Sequence, residues 1–238
     1  MTRSFALVLA LAAAGPFVPS SAEAGACARP EIPTAPLTAD GTKLAKGGGV
    51  VMQMEDAAKA PTWTFTGKSK AKAKVRVIGP GLAVYEPPAG GVWSLQDGKG
   101  KTSIKVEVGP DARAPAAPVV RTVQYRSANS RRGTYQNVNA EVTGQPPDGV
   151  VALLAYDKKG GVLSWGKINR GDPAAKTTTI ALWFSGSCTV LPNGTRAIGP
   201  DQKIKLAWLD ASGQVSPMVA ATVVNASPKG SGPSMGIQ

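Results

Sequence analysis

The 238-residue chain has no histidine, only two cysteines (Cys27 and Cys188), and only 5% aromatic residues. Acidic residues are also scarce, 15 against 27 lysines and arginines. Each shortage excludes a class of chemistry. Without histidine there is no Ser-His-Asp triad, no imidazole base and no imidazole metal ligand. Two cysteines cannot form a four-cysteine zinc site or a dense disulfide framework. Beyond residue 24 no run approaches the roughly 20 apolar residues of a membrane-spanning helix. No metal and no cofactor is expected.

Glycine and proline are abundant, at 28 and 20 residues. The N-terminus reads as a secretory signal peptide over residues 1–24. Arg3 supplies a positive start, and the apolar stretch Phe5 to Ala14 is too short to remain as a membrane span. The small residues Ala22 and Ala24 then place the cut before Gly25. Ala24-Gly25-Ala26-Cys27 loosely resembles a lipoprotein signal, but no leucine precedes it at the expected place. A periplasmic, cell-envelope or secreted location follows, and in such an oxidising compartment a Cys27–Cys188 disulfide is expected.

The Pro/Ala-rich stretch 110–118 reads as a semi-rigid linker. It separates two expected domains, 25–109 and 119–226, and a Gly/Ser/Pro-rich tail follows at 227–238. Both domains show period-two alternation. Trp63 and Phe65 alternate with threonines, Ile104, Val106 and Val108 alternate with Lys105 and Glu107, and Val138, Ala140 and Val142 alternate with Asn139 and Glu141. Gly149 to Tyr156 is almost continuously apolar, as in a strand covered on both faces. Asp157 and Asp210 each end an apolar strand before a Gly-containing turn. About six strands are expected in the first domain and seven or eight in the second.

Short strands with turn signals about every ten residues predict an all-β protein of two antiparallel β-sandwich domains. The Trp165 strand and the hairpin from Lys203 to Val224 resemble immunoglobulin and fibronectin type III modules. The Pro-rich opening and the Asp40-Gly41-Thr42 turn of the first domain are similar to immunoglobulin-like modules of secreted bacterial proteins. These resemblances imply a fold and no particular function.

The formal charge of +12 is spread over the chain. Residues 25–110 carry 12 basic against 7 acidic groups, and residues 111–238 carry 14 against 7. The densest basic feature is Lys68, Lys70, Lys72 and Lys74, interleaved with small residues; Arg131 and Arg132 form a second. All six are candidate anion-binding residues. There is no aromatic interleaving of the kind that stacks nucleic-acid bases. Trp183, between Leu182 and Phe184, is a candidate for stacking on a sugar ring if its strand face is exposed. Met52 and Met54 share a strand face and read as core rather than as a thioether copper site. The carboxylates Asp157 and Asp210 are explained by their turns.

The sequence therefore reads as a secreted, non-enzymatic binding or structural protein of a cell envelope. Its expected partner is an anionic polymer or another protein. The alternative is a carbohydrate-active enzyme or an accessory sugar-binding module.

Overall fold

The computed structural model describes residues 31–100, 103–109, 114–130, 133–186 and 189–226. The first half contains β1 (Ala35–Pro36), β2 (Thr42–Leu44), β3 (Val50–Gln53), β4 (Thr64–Thr66), β5 (Lys70–Lys72), β6 (Lys74–Gly79), β7 (Leu82–Glu86), β8 (Gly91–Gln96) and β9 (Ser103–Val108). The second contains β10 (Val120–Ser130), β11 (Gly133–Thr143), β12 (Val150–Tyr156), β13 (Val162–Lys167), β14 (Thr177–Ser185), β15 (Lys203–Asp210) and β16 (Val219–Asn225). One 3-10 turn, Ala57–Lys59, is the only helical element among the described residues. The protein is all-β. Cys27, Cys188, Arg131 and Arg132, together with residues 1–24 and 227–238, lie outside the described residues.

Three sheets result, and all have side chains facing in from neighbouring layers. The four-stranded sheet runs β1-β3-β7-β6, the five-stranded sheet β2-β9-β8-β4-β5, and the seven-stranded sheet β13-β12-β15-β16-β10-β11-β14. Most pairs are antiparallel. Two are parallel, β2 with β9 and β10 with β16, so the antiparallel expectation is corrected there. Parallel neighbours need long connections, and period-two patterning carries no information about them.

Alternation explains how the four-stranded sheet is covered. Val50 and Met52 of β3 and Ala83 and Tyr85 of β7 face the five-stranded sheet. They meet Phe65, Trp93, Leu95, Ile104 and Val106 in one buried sandwich core. The intervening Val51, Leu82 and Val84 point the other way and are equally buried. Their partners come from the second half of the chain: Ala152, Leu154 and Tyr156 of β12, and Ala207 and Leu209 of β15. The four-stranded sheet is thus covered on both faces, and this second apolar layer joins the two halves. Polar contacts line the layer. Buried Thr38 donates its hydroxyl to the Ala211 carbonyl at 2.6 Å, and Ser212 receives the Ala45 N–H on its Oγ at 3.2 Å. The Trp165 indole donates to the Pro80 carbonyl at 2.7 Å.

The opposite faces of β12 and β15 hold Leu153, Ala155, Ile204, Leu206 and Trp208. These residues pack against Val123, Val138, Ala140, Ile180 and Leu182 of β10, β11 and β14, so the seven-stranded sheet curls over its own core. Its two end strands meet without a backbone ladder. Ser164 of β13 donates its hydroxyl to the Leu182 carbonyl at 2.6 Å. A Cβ at Gly166 would collide with the Ala181 carbonyl, so only glycine permits this approach. β14 carries a bulge here: Val138 opposes Trp183 while Asn139 opposes Ala181, which leaves Leu182 as the extra residue. The bulge shifts the alternation, and Leu182 and Trp183 are both buried.

Candidate functional site

The outer face of the five-stranded sheet is built by the alternation that fills the sandwich. Phe65, Leu95, Ile104 and Val106 point inward, so their neighbours must point outward. Register places these neighbours in rows across the sheet. One row is Lys72, Thr64, Gln96 and Ser103, and the next is Lys70, Thr66, Ser94 and Lys105. A third brings Val92, Glu107 and Lys43 together. The result is a lane of hydroxyl and amide groups with lysines on both sides. Strand spacing puts the backbones of Lys70 and Lys105 roughly 14 Å apart, and those of Lys70 and Lys72 roughly 7 Å apart. Lys43, Lys70, Lys72 and Lys105 are exposed and form no ion pair among the described residues.

The four lysines singled out in the sequence do not stay together. Lys70 and Lys72 share the outer face of β5, and Lys68 lies in the turn before it. Ala73 is buried, and the chain crosses there to the four-stranded sheet. Lys74 begins β6 and sits 3.8 Å from the Glu86 carboxylate, which also holds Arg76 at 2.8 Å. Lys105 and Lys43, which complete the lane, are not among the anion-binding candidates that the sequence offers. Alternation with Ile104 and Val106 marks Lys105 as outward-facing, but nothing local shows that β9 lies beside β8 and β2.

Trp183 is 8% exposed and belongs to the core of the seven-stranded sheet, too little surface for a sugar ring to stack on. It lines an apolar recess of about 290 Å³ together with Trp165, Leu191 and Pro192. The exposed aromatic is its neighbour Phe184, 40% accessible, with its ring centroid 6.3 Å from that of Tyr135. Met52 and Met54 are buried in the sandwich core. Among the described residues no three His, Cys, Asp or Glu side chains cluster as a metal site.

Asp157 and Asp210 close the two turns that the sequence indicated. Asp157 accepts the Gly161 N–H at 2.8 Å, and that bond together with the Arg196 guanidinium holds its carboxyl below the usual range. Asp210 accepts the N–H groups of Ser212 and Gln214 at 2.9 and 2.8 Å, yet burial pushes its carboxyl up. Val150 lies opposite Asp210, and Asp157 follows Tyr156. The two carboxylates therefore stand at opposite ends of β12, roughly 20 Å apart by strand rise. Paired glycosidase carboxylates stand no more than about 9.5 Å apart.

No known protein family and no curated protein matches the sequence. Among solved structures, the chain has a likeness to a biofilm-associated protein BSP domain, with TM-score 0.27 and 13% identity over 82% of this chain and 30% of that one. This chain thus spans under a third of that structure's length. A chimeric titin Z1Z2 tandem gives TM-score 0.21 and 13% identity, over 82% of this chain and 100% of that one. At such TM-scores neither likeness bears on function. No helix among the described residues is long and apolar enough to cross a membrane.

Proposed function

We propose that this is a secreted or envelope-located binding protein whose five-stranded sheet docks an anionic polymer. The observation that carries the reading is the lane itself. Two pairs of unpaired ammonium groups, Lys70 with Lys72 and Lys105 with Lys43, flank Thr64, Thr66, Ser94, Gln96 and Ser103. Flexible ammoniums act as point charges and suit repeating phosphate, sulfate or carboxylate groups. The hydroxyls and the amide between them can hydrogen-bond the polymer backbone. Exposed charges of this kind are screened within about 8 Å at physiological salt, so the contact is reversible and salt-sensitive.

The test is retention on an immobilised sulfated polysaccharide across a salt gradient. The parent protein is expected to bind at low salt and elute at moderate salt. Lys70→Glu with Lys72→Glu is expected to weaken retention about tenfold, in line with the loss of two exposed charge contacts. An unchanged elution position for this double variant would remove the lane as the docking face.

A second reading rests on the outer face of the seven-stranded sheet. There Phe184 stands opposite Asn137, and Gln124 stands opposite Asn139. An exposed ring beside planar amides suits a neutral sugar. On that reading, retention on an uncharged polysaccharide is lost in Phe184→Ala and untouched by the lysine changes.

A further inference from the structure

A second concave site lies at the end of β12 remote from Asp210. Its walls are the β12–β13 turn, with Asp157, Lys158 and Lys159, and the entry to β15, with Asp201, Gln202 and Lys203. Arg196 comes in from the β14–β15 connection, and the cleft is open to solvent with a volume of about 500 Å³. None of these residues belongs to the lysine lane.

Two of the charges neutralise each other. The Arg196 guanidinium lies 2.8 Å from the Asp157 carboxylate, whose other oxygen accepts the Gly161 N–H at 2.8 Å. Gly161 makes room for this pair, because a Cβ there would stand 2.9 Å from the guanidinium nitrogen. The Arg196 backbone is also fixed, its N–H donating to the Leu163 carbonyl at 2.8 Å. The pair forms one wall of the cleft. Lys158, Lys159 and Lys203 remain, all exposed and without an ion pair among the described residues.

One carboxylate faces them. Asp201 is the only non-glycine residue at positive φ among the described residues, at 60°. Its backbone is clamped there. Its N–H donates to the Val223 carbonyl at 2.8 Å, and the Val223 N–H returns to the Gln202 carbonyl at 3.0 Å. Gln202 in turn accepts the Gly199 N–H on Oε1 at 3.0 Å. Glycine would occupy this conformation without strain; aspartate keeps a hydrogen-bond acceptor at the rim.

The charge pattern selects the ligand. Three ammoniums match a compact, multiply charged oxyanion, which Lys recognises as a point charge. A planar carboxylate would call for a free guanidinium fork, and Arg196 is committed to Asp157. The exposed Asp201 carboxylate at the rim can accept a hydrogen bond from a ligand hydroxyl. The volume is that of a small-ligand pocket. We propose that this cleft binds a phosphorylated sugar, with the phosphate among Lys158, Lys159 and Lys203 and a sugar hydroxyl donating to Asp201. The sugar phosphate can be a free molecule or one repeat of a sugar-phosphate polymer.

The experiment is calorimetric titration of the full chain with glucose 6-phosphate, inorganic phosphate, glucose and a short sugar-phosphate oligomer. Glucose 6-phosphate is expected to bind more tightly than inorganic phosphate, and glucose not at all. The variant Lys158→Ala, Lys159→Ala, Lys203→Ala is expected to bind glucose 6-phosphate roughly tenfold or more weakly, as loss of several charged contacts implies. Asp201→Gly preserves the backbone conformation, and is expected to weaken glucose 6-phosphate while leaving inorganic phosphate unchanged. With Lys70→Glu and Lys72→Glu in place to weaken the lane, tighter binding of the oligomer than of the monomer identifies the polymer as source, and equal or weaker binding identifies the free molecule. The proposal is overturned if glucose 6-phosphate fails to bind, or if the triple variant binds it as well as the parent. It is equally overturned if Asp201→Gly has no effect. Lys70→Glu with Lys72→Glu is expected to leave the glucose 6-phosphate and inorganic phosphate titrations unchanged, so failure of the lane and failure of the cleft are read separately.

Discussion

Tyr85 shows how far one side chain ties the sandwich together. It has no exposed surface, its ring centroid lies 5.7 Å from that of Trp63, and its hydroxyl donates to the Pro61 carbonyl at 2.8 Å. Burial pushes its phenol up to about 12. Below pH 10 the phenol is neutral in the folded and unfolded chain alike, and its contribution to stability is fully present. Between pH 10 and about 12 the unfolded chain ionises first, so stability falls as pH rises through that window. Tyr85→Phe is expected to cost about 1 kcal/mol at neutral pH, because the Pro61 carbonyl loses its donor. The variant is also expected to show a shallower decline above pH 10. Denaturant midpoints measured from pH 7 to 12 check both outcomes. Single residues also limit what a sequence discloses. The alternation around Trp183 and Phe184 reads correctly only once the bulge at Leu182 is known, and that bulge is set by pairing with β11.

Among the strands, local pattern and pairing order contribute separately. β3, β4 and β7 to β9 were readable because they hold inward-facing apolar residues; in β6 the valines that flank Arg76 suggest a strand with its apolar side inward, but Val75 and Val77 are exposed. β1, β2 and β5 were not readable, since they hold two or three residues with at most one large apolar side chain, whereas the equally short β4 is marked by Phe65 and the preceding Trp63. The runs Val50-Val51-Met52 and Leu82-Ala83-Val84-Tyr85 hold the same two-sided signal that marks β12, and it is this signal that places β3 and β7 in the middle layer. Half of the lysine lane was legible, at Lys70 and Lys72. The other half depends on which strands pair, a property of residues far apart in the chain. The end of β14 bears on the cysteines. Ile32 lines the same recess as Phe184 and Leu191. Cys27 precedes Ile32 by five residues and Cys188 precedes Leu191 by three, spans of at most roughly 17 and 10 Å when fully extended. We propose that the two thiols pair. Intact mass of the protein produced in an oxidising compartment is expected to rise by two hydrogens on reduction, and an unchanged mass would refute the pairing.

For the molecule as a whole, the governing feature is the apolar layer shared by the halves. Val51, Leu82 and Val84 of the first half pack in one buried cluster with Ala152, Leu154, Ala207 and Leu209 of the second, and Leu37, Ile78, Val162, Trp165 and Val215 close its margins. The stretch 114–119 has no regular structure and adds little to this attachment. The joint is made by buried side chains and by backbone bonds such as Gly49 N–H to the Ser212 carbonyl at 2.8 Å, contacts that do not depend on chain continuity between the halves. That makes the protein a natural candidate for splitting. Residues 25–110 and 111–238, produced together as separately tagged fragments, are expected to reconstitute and copurify through either tag. Leu154→Lys, which sets an unpaired charge in the buried layer, is expected to abolish copurification. Reconstitution would turn a continuous chain into a two-piece clasp that holds together whatever is fused to each piece.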